Sequence, residues 1–272
     1  MPAKPSSQNP VTRQFVISLP FTGLWLARNS PARRVPSHGI DVLGERYAID
    51  FVGVDDRRRT ADRRDWRTFL GTEPADRFLA FGRAILAPAD GVVVEAHDGE
   101  VDHAGRRSPA ALIPYAFGQA GRLRQGIAAV AGNYLVIALR KGGAVPEGGA
   151  VREGVAVREG GAVREGGAFV ALAHLRAGSL RVAAGDEVTV GQPVAACGNS
   201  GNSTQPHVHV HVMDSADLAV AQGLPMAFRR FREWRPGVED PEVRDAGIPG
   251  EGSVVEPLHL PATERGADRR HD

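Results

Sequence analysis

Cysteine is nearly absent from this sequence. Cys197 stands alone among 272 residues, so no internal disulfide framework can form, and nothing about the redox compartment follows. Lysine is scarce too: Lys4 and Lys141 are the two lysines among 33 basic residues, and the arginines are scattered. The formal net charge is +1, and a chain with no global field offers no grip on nucleic acid or an anionic membrane. Long hydrophobic runs are missing as well. No segment approaches the ~18 apolar residues needed to span a bilayer. The apolar stretch Phe15 to Leu19 leads into no continuous h-region with a small-residue cleavage site. Without an export signal the default expectation is a cytoplasmic location; another export route would allow an extracellular or cell-wall role.

What is present suits a soluble chain with a real core: apolar residues make up 42%, enough for one large domain or two small ones. Residues 1–12 are polar and proline-rich and read as a disordered lead-in. Short apolar runs punctuated by Gly, Pro and Asp then follow, a pattern that favours an antiparallel β-sandwich or barrel. The expected strands are 15–19, 24–26, 47–52, 86–94 (as strand, turn, strand), 133–139, 169–173, 194–197 and 207–213. Helix is expected to be minor, in 55–80 and around Leu218 to Trp234. One domain is assigned to 13–234. Residues 142–165 hold four copies of a six-residue unit, GGAVPE, GGAVRE, GVAVRE and GGAVRE. Four copies cannot bury a core, so the repeat reads as an insertion in a hairpin loop, where extra length costs little entropy. Residues 235–272 read as a polar tail, with Ser253-Val254-Val255 as a candidate edge strand.

The strongest chemical signal is Gly198-Asn199-Ser200-Gly201-Asn202-Ser203-Thr204-Gln205-Pro206-His207-Val208-His209. A small-residue turn delivers the chain into a strand whose period of two puts His207 and His209 on one face. One can bind a metal while the other handles protons beside it. Upstream, Asp50 lies in the apolar run Tyr47 to Val52, where an unpaired carboxylate is costly to bury; a metal or a cation must neutralise it.

These segments resemble the lysostaphin/LytM-type zinc metallopeptidases, a family with the duplicated hybrid motif fold. Gly198 to His209 is similar to its G-N-[ST]-G loop leading to P-H-L-H. Ala87 to Val93 is similar to A-P-x-D-G-x-V, Gly132-Asn133-Tyr134 to G-N-x, Leu172 to Leu175 to Y-x-H-L, and Val182 to Gln192 to V-x-x-G-D-x-V-x-x-G-Q. The likeness spans about residues 36 to 215. It implies an endopeptidase that hydrolyses peptidoglycan cross-links with Zn2+. His209 and Asp50 would be ligands, and His207 and His174 would assist proton transfer and charge stabilisation.

The sequence departs from the family at Arg46. The family's H-x-x-x-D motif puts a ligand histidine four residues before the Asp, and a guanidinium cannot ligate zinc. Two readings stay open. In one, His38 of Val35-Pro36-Ser37-His38-Gly39 folds back to supply the third ligand, as in a branch of the family with P-S-H-G ahead of Y-A-I-D-x-V. In the other, Arg46 pairs with Asp50 and the chain is a metal-free module that binds a cell-wall peptide or a protein partner. His38 reads almost equally as a loop histidine, and His174 reads also as a structural one. His211 extends the histidine face where the family carries Glu or Gln, and is expected to support the ligands. Asp41 falls on the opposite face from His38. A phosphocarrier- or biotinyl-like barrel is disfavoured, since it needs one reactive His or Lys in an open loop.

Overall fold

The computed structural model describes residues 14–108, 110, 126–140, 144–145 and 167–258. The lead-in 1–12, most of the repeat and the last part of the tail lie outside the described residues.

Fifteen strands are described, with helix confined to short pieces. The strands are β1 (Gln14–Ile17), β2 (Trp25–Arg28), β3 (Ile49–Gly53), β4 (Ala84–Leu86), β5 (Gly91–His97), β6 (Asn133–Leu139), β7 (Ala144–Val145) and β8 (Phe169–Leu175). They continue with β9 (Glu187–Val188), β10 (Pro193–Ala196), β11 (Val208–Met213), β12 (Gly223–Leu224), β13 (Met226–Trp234), β14 (Glu242–Gly247) and β15 (Val254–Pro257). The helices are α1 (Trp66–Leu70) and α2 (Ile127–Ala131), with single 3-10 turns at Glu45–Tyr47 and Ala75–Arg77. The fold is mainly β, as the sequence pattern implies.

One large sheet runs β7-β1-β13-β15-β2-β3-β11-β8-β6-β5-β9, and β4 with β10 form a two-stranded companion. Every described pairing is antiparallel except β1 with β13. The companion strands put Ile85, Val194 and Ala195 into the same core as Phe51, Leu172, Val208 and Val210. Cys197 is buried in that core as a small apolar residue.

The centre of the sheet is apolar on one side and chemical on the other. In β11 the valines 208, 210 and 212 join the core, so period two turns His209 and His211 to the opposite face. In β3, Ile49 and Phe51 enter the core and leave Asp50 facing with His209, its register partner.

Two expectations need correction. Residues 226–234 are strand, not helix. Arg230 sits at φ +44, and the inward face changes across it from Met226 and Phe228 to Phe231. That break in the period of two disguises the strand. The expected polar tail is also structured as far as residue 257. Strand β14 pairs with β13, and β15 is no edge: it inserts between β13 and β2 with Val254 and Val255 buried. Loop 248–253 is tied to the loop after β2. Glu251 accepts from the Ser30 amide at 2.8 Å, the Pro249 carbonyl accepts from the Ser30 hydroxyl, and Ala27 N donates to the Ser253 carbonyl at 2.8 Å.

Candidate metal centre and active-site groove

A cavity of ≈ 290 Å³ opens over the histidine face of the sheet. His38, Asp50, His174, His207, His209 and His211 all line it. The sequence-predicted site residues therefore come together.

Asp50 is the hub. Its Oδ1 lies 2.9 Å from His209 Nδ1, and its Oδ2 lies 3.2 Å from His38 Nε2. His207 Nε2 stands 3.5 Å from Oδ1. Asn29 Nδ2 donates to Oδ2 at 2.7 Å. Arg46 does not approach: its guanidinium pairs with Asp41 on the exposed side of the loop. The reading in which Arg46 neutralises Asp50 is thus corrected. The 3-10 turn Glu45–Tyr47 leaves the Arg46 side chain 43% exposed, while a loop bends His38 inward beside Asp50. A charged guanidinium stays with water and a surface carboxylate, which costs less than entering a half-buried groove.

His174 reaches the groove through a break in strand alternation. Leu172 pairs with Leu135 and Leu175 with Asn133, so two residues of β8 oppose one of β6. His174 takes φ +60 at this bulge. Ala173 and His174 both line the groove as a result, and Leu175 returns to the core. Bulges re-aim side chains in this way at functional sites. The His174 ring lies 4.6 Å from that of His207 and 5.9 Å from that of His209, centroid to centroid.

Hydrogen bonds fix which nitrogen of each imidazole faces inward. His174 Nδ1 is 3.0 Å from the Ser200 carbonyl, and His207 Nδ1 is 2.8 Å from the Gln205 carbonyl. A carbonyl only accepts, so both Nδ1 atoms carry hydrogen and Nε2 is the nitrogen each ring turns to the groove. Ser200 is itself held: its hydroxyl donates to the Leu175 carbonyl at 2.8 Å and accepts from Asn133 N at 3.0 Å. His38 Nδ1 lies 3.0 Å from the Ser37 hydroxyl.

The electrostatics are those of one carboxylate among imidazoles. Burial pushes the Asp50 carboxyl upward, but His38, His207 and His209 outweigh it and hold the group well below the usual carboxylate range. Burial also opposes charge on His38 and His207, yet Asp50 raises both. His174 lacks such a partner. Burial and the neighbouring imidazoles push it well below its ordinary value, so it stays neutral. Protons on the rings thus do for Asp50 what a divalent cation would do, and cation binding would release them.

The donor set fits a metal of the zinc type. One ligand atom each from His38, Asp50 and His209 lies within 4.8 Å of the others. Donors 2.0–2.1 Å from a tetrahedral zinc stand about 3.3 Å apart, close to the 3.2 and 2.9 Å separations around Asp50. Three protein ligands leave one position open, the arrangement of catalytic rather than structural zinc. Asn29, Ser37 and Ser200 orient these side chains; Ser37 and Ser200 lie in segments the sequence singles out, and Asn29 does not.

Residues 124–221 match Peptidase family M23. A search of curated proteins finds no match. Among solved structures, the catalytic domain of lysostaphin from Staphylococcus simulans is similar at 17% identity and TM-score 0.31, over 65% of this chain and 74% of that one. A glycyl-glycine endopeptidase lytM from Ruminococcus gnavus is similar at 13% and 0.29, over 65% of this chain and 42% of its own. A zinc-containing peptidase from Vibrio cholerae is similar at 18% and 0.27, over 61% and 46%. The family match contains His174, His207, His209 and His211 but neither His38 nor Asp50, so the N-terminal half of the metal centre rests on geometry alone. Residues 124–221 are thus similar to peptidase family M23.

Proposed function

We propose that the protein is a zinc-dependent metalloendopeptidase acting on short peptides of the peptidoglycan cross-link type. The observation that carries the reading is Asp50 held between His38 Nε2 and His209 Nδ1 at the floor of a groove. His38, Asp50 and His209 would hold zinc. Bound there, zinc supplies a Lewis acid that acidifies water to a pKa of about 7. His207, with Nδ1 anchored and Nε2 turned to the groove, takes the proton from the attacking water and returns it to the leaving amine. His174, neutral and anchored through Ser200, steadies the charge that builds on the attacked carbonyl. The half-buried groove keeps bulk water from screening these contacts. A peptidoglycan substrate would require the chain, or its substrate, to cross the cell envelope.

Elemental analysis of protein purified without chelators tests the metal, and cleavage of glycine- and alanine-rich peptides tests the chemistry. We expect about one zinc per chain, lost in His209→Ala, and peptide cleavage abolished by His207→Ala with zinc retained. A wild-type protein that takes up no zinc on reconstitution would overturn the enzyme and leave a peptide-binding module.

A further inference from the structure

His209 meets Asp50 through one ring nitrogen: Nδ1 lies 2.9 Å from Oδ1. The other nitrogen, Nε2, is buried and makes no hydrogen bond. Buried polar side-chain atoms in native proteins nearly always have a partner, so this one asks for an account. The rings of His38, His174 and His211 pack around His209 without bonding to Nε2. A second carboxylate stands on that side of the ring: Glu45 Oε1 is 3.9 Å from Nε2. At that distance the two do not yet bond.

Glu45 arrives there by the same turn that takes Arg46 away. Gly44 sits at φ +75, and Glu45 N donates to the Val42 carbonyl at 3.0 Å. The next two side chains then diverge. The Arg46 guanidinium pairs with Asp41 on the exposed side, while Glu45 lines the groove with its side chain 15% exposed. Glu45 is not itself one of the three clustered ligand residues, which are His38, Asp50 and His209. It also falls outside residues 124–221, the stretch that matches the family.

Resting on the metal-site reading above, we propose that Glu45 is a positioning residue whose carboxylate accepts a hydrogen bond from His209 Nε2 and so aims Nδ1 at the metal. A neutral imidazole that gives the lone pair of Nδ1 to a metal carries its hydrogen on Nε2. Metal binding therefore turns a buried, unpartnered nitrogen into an obligatory donor, and leaving it unmet would be costly. Closing 3.9 Å to about 2.9 Å, the usual N–H···O length, takes only a change in the Glu45 side-chain torsions. The bond fixes the tautomer and the ring plane, and it makes Nδ1 a better ligand.

The test uses the full chain with isotope-labelled histidine nitrogens. Competition with a chelator reads zinc affinity, and the nitrogen spectra report which ring atom carries hydrogen. Zinc loading should bring up a slowly exchanging His209 Nε2 proton in the wild type. Glu45→Ala should weaken zinc binding about 10–100-fold, the usual worth of a group behind a metal-bound histidine, and speed exchange of that proton. Glu45→Gln, whose amide oxygen still accepts, should keep the proton signal and recover most of the affinity. Unchanged affinity in Glu45→Ala, zinc held through His209 Nε2, or equal loss in both variants overturns the positioning role. Those three results leave zinc on the wild type and the peptidase reading standing; a wild type that takes up no zinc overturns both.

Discussion

The ring of His38 stands beside the Asp50 carboxylate, Nε2 to Oδ2 3.2 Å, in the place the sequence left contested with Arg46. Twelve residues separate the pair, whereas the motif it replaces spans four. His38 reaches Asp50 because the loop after Val35 folds back under the strand, tied by Ser37 N donating to the Arg46 carbonyl at 3.1 Å. Arg46 thus secures the loop through its backbone while its side chain points outward to Asp41.

That division of labour predicts opposite outcomes for two neighbouring substitutions. His38→Ala should lose zinc, while Arg46→Ala should bind it as the wild type does. Metal content measured after dialysis against a competing chelator separates them. Zinc retained in His38→Ala would remove His38 from the ligand set.

Asn29 donates to the same carboxylate oxygen that faces His38. Groups that orient metal ligands in this way are worth about 10–100-fold in metal affinity. Asn29→Ala should therefore weaken zinc binding by that order without abolishing it. A competition titration against a fluorescent zinc chelator reads the shift, and no change would make the contact incidental.

Gly132 shows how closely the loops beneath His174 are packed. It sits at φ +67, and a Cβ there would lie 2.3 Å from Ser200 Oγ and 2.6 Å from the Ser200 backbone. Gly132→Ala should cost roughly 1–3 kcal/mol through backbone strain alone. It should also lower turnover, since Ser200 carries the carbonyl that anchors His174. Thermal unfolding and peptide cleavage measured on one preparation check both halves.

Acid sensitivity should trace in part to Glu73, which is fully buried. Burial alone would raise its carboxyl pKa. The Arg107 fork, at 2.6 and 2.7 Å, and the Thr68 hydroxyl, at 2.9 Å, instead bring it below the ordinary value. A depressed carboxylate contributes stability above its unfolded pKa of about 4.3 and loses it as the pH falls through the lower folded value. Glu73→Gln should cost about 3 kcal/mol at neutral pH by leaving Arg107 uncompensated. It should also flatten the acid limb of stability against pH. Urea melts from pH 7 down to 3 would show an unaltered limb if Glu73 were not responsible.

The central strands were legible in the sequence because their periods were clean: Val208 to Met213 alternates without a fault, and Asn133 to Leu139 is bounded by glycine and a basic turn. The candidate ligands His209 and Asp50 were legible for the same reason, each placed by alternation on a strand buried on both faces. Strand 226–234 was not, because Arg230 at φ +44 interrupts its alternation. The position of His38 could be named but not decided, since a loop carries no period that aims a side chain. Asn29 left no trace at all: its role comes from a turn at φ +51 and from segments more than two hundred residues away.

Those distant segments give the C-terminal strand a temporal meaning. Strand β15 separates β13 from β2, and the loop before it clamps Ser30, next to Asn29. During synthesis the candidate ligands His38, Asp50 and His209 emerge well before the loop at 249–251 that holds Ser30, next to the Asn29 donor to Asp50. The order of the loop that carries Asn29 is linked to a segment more than two hundred residues downstream.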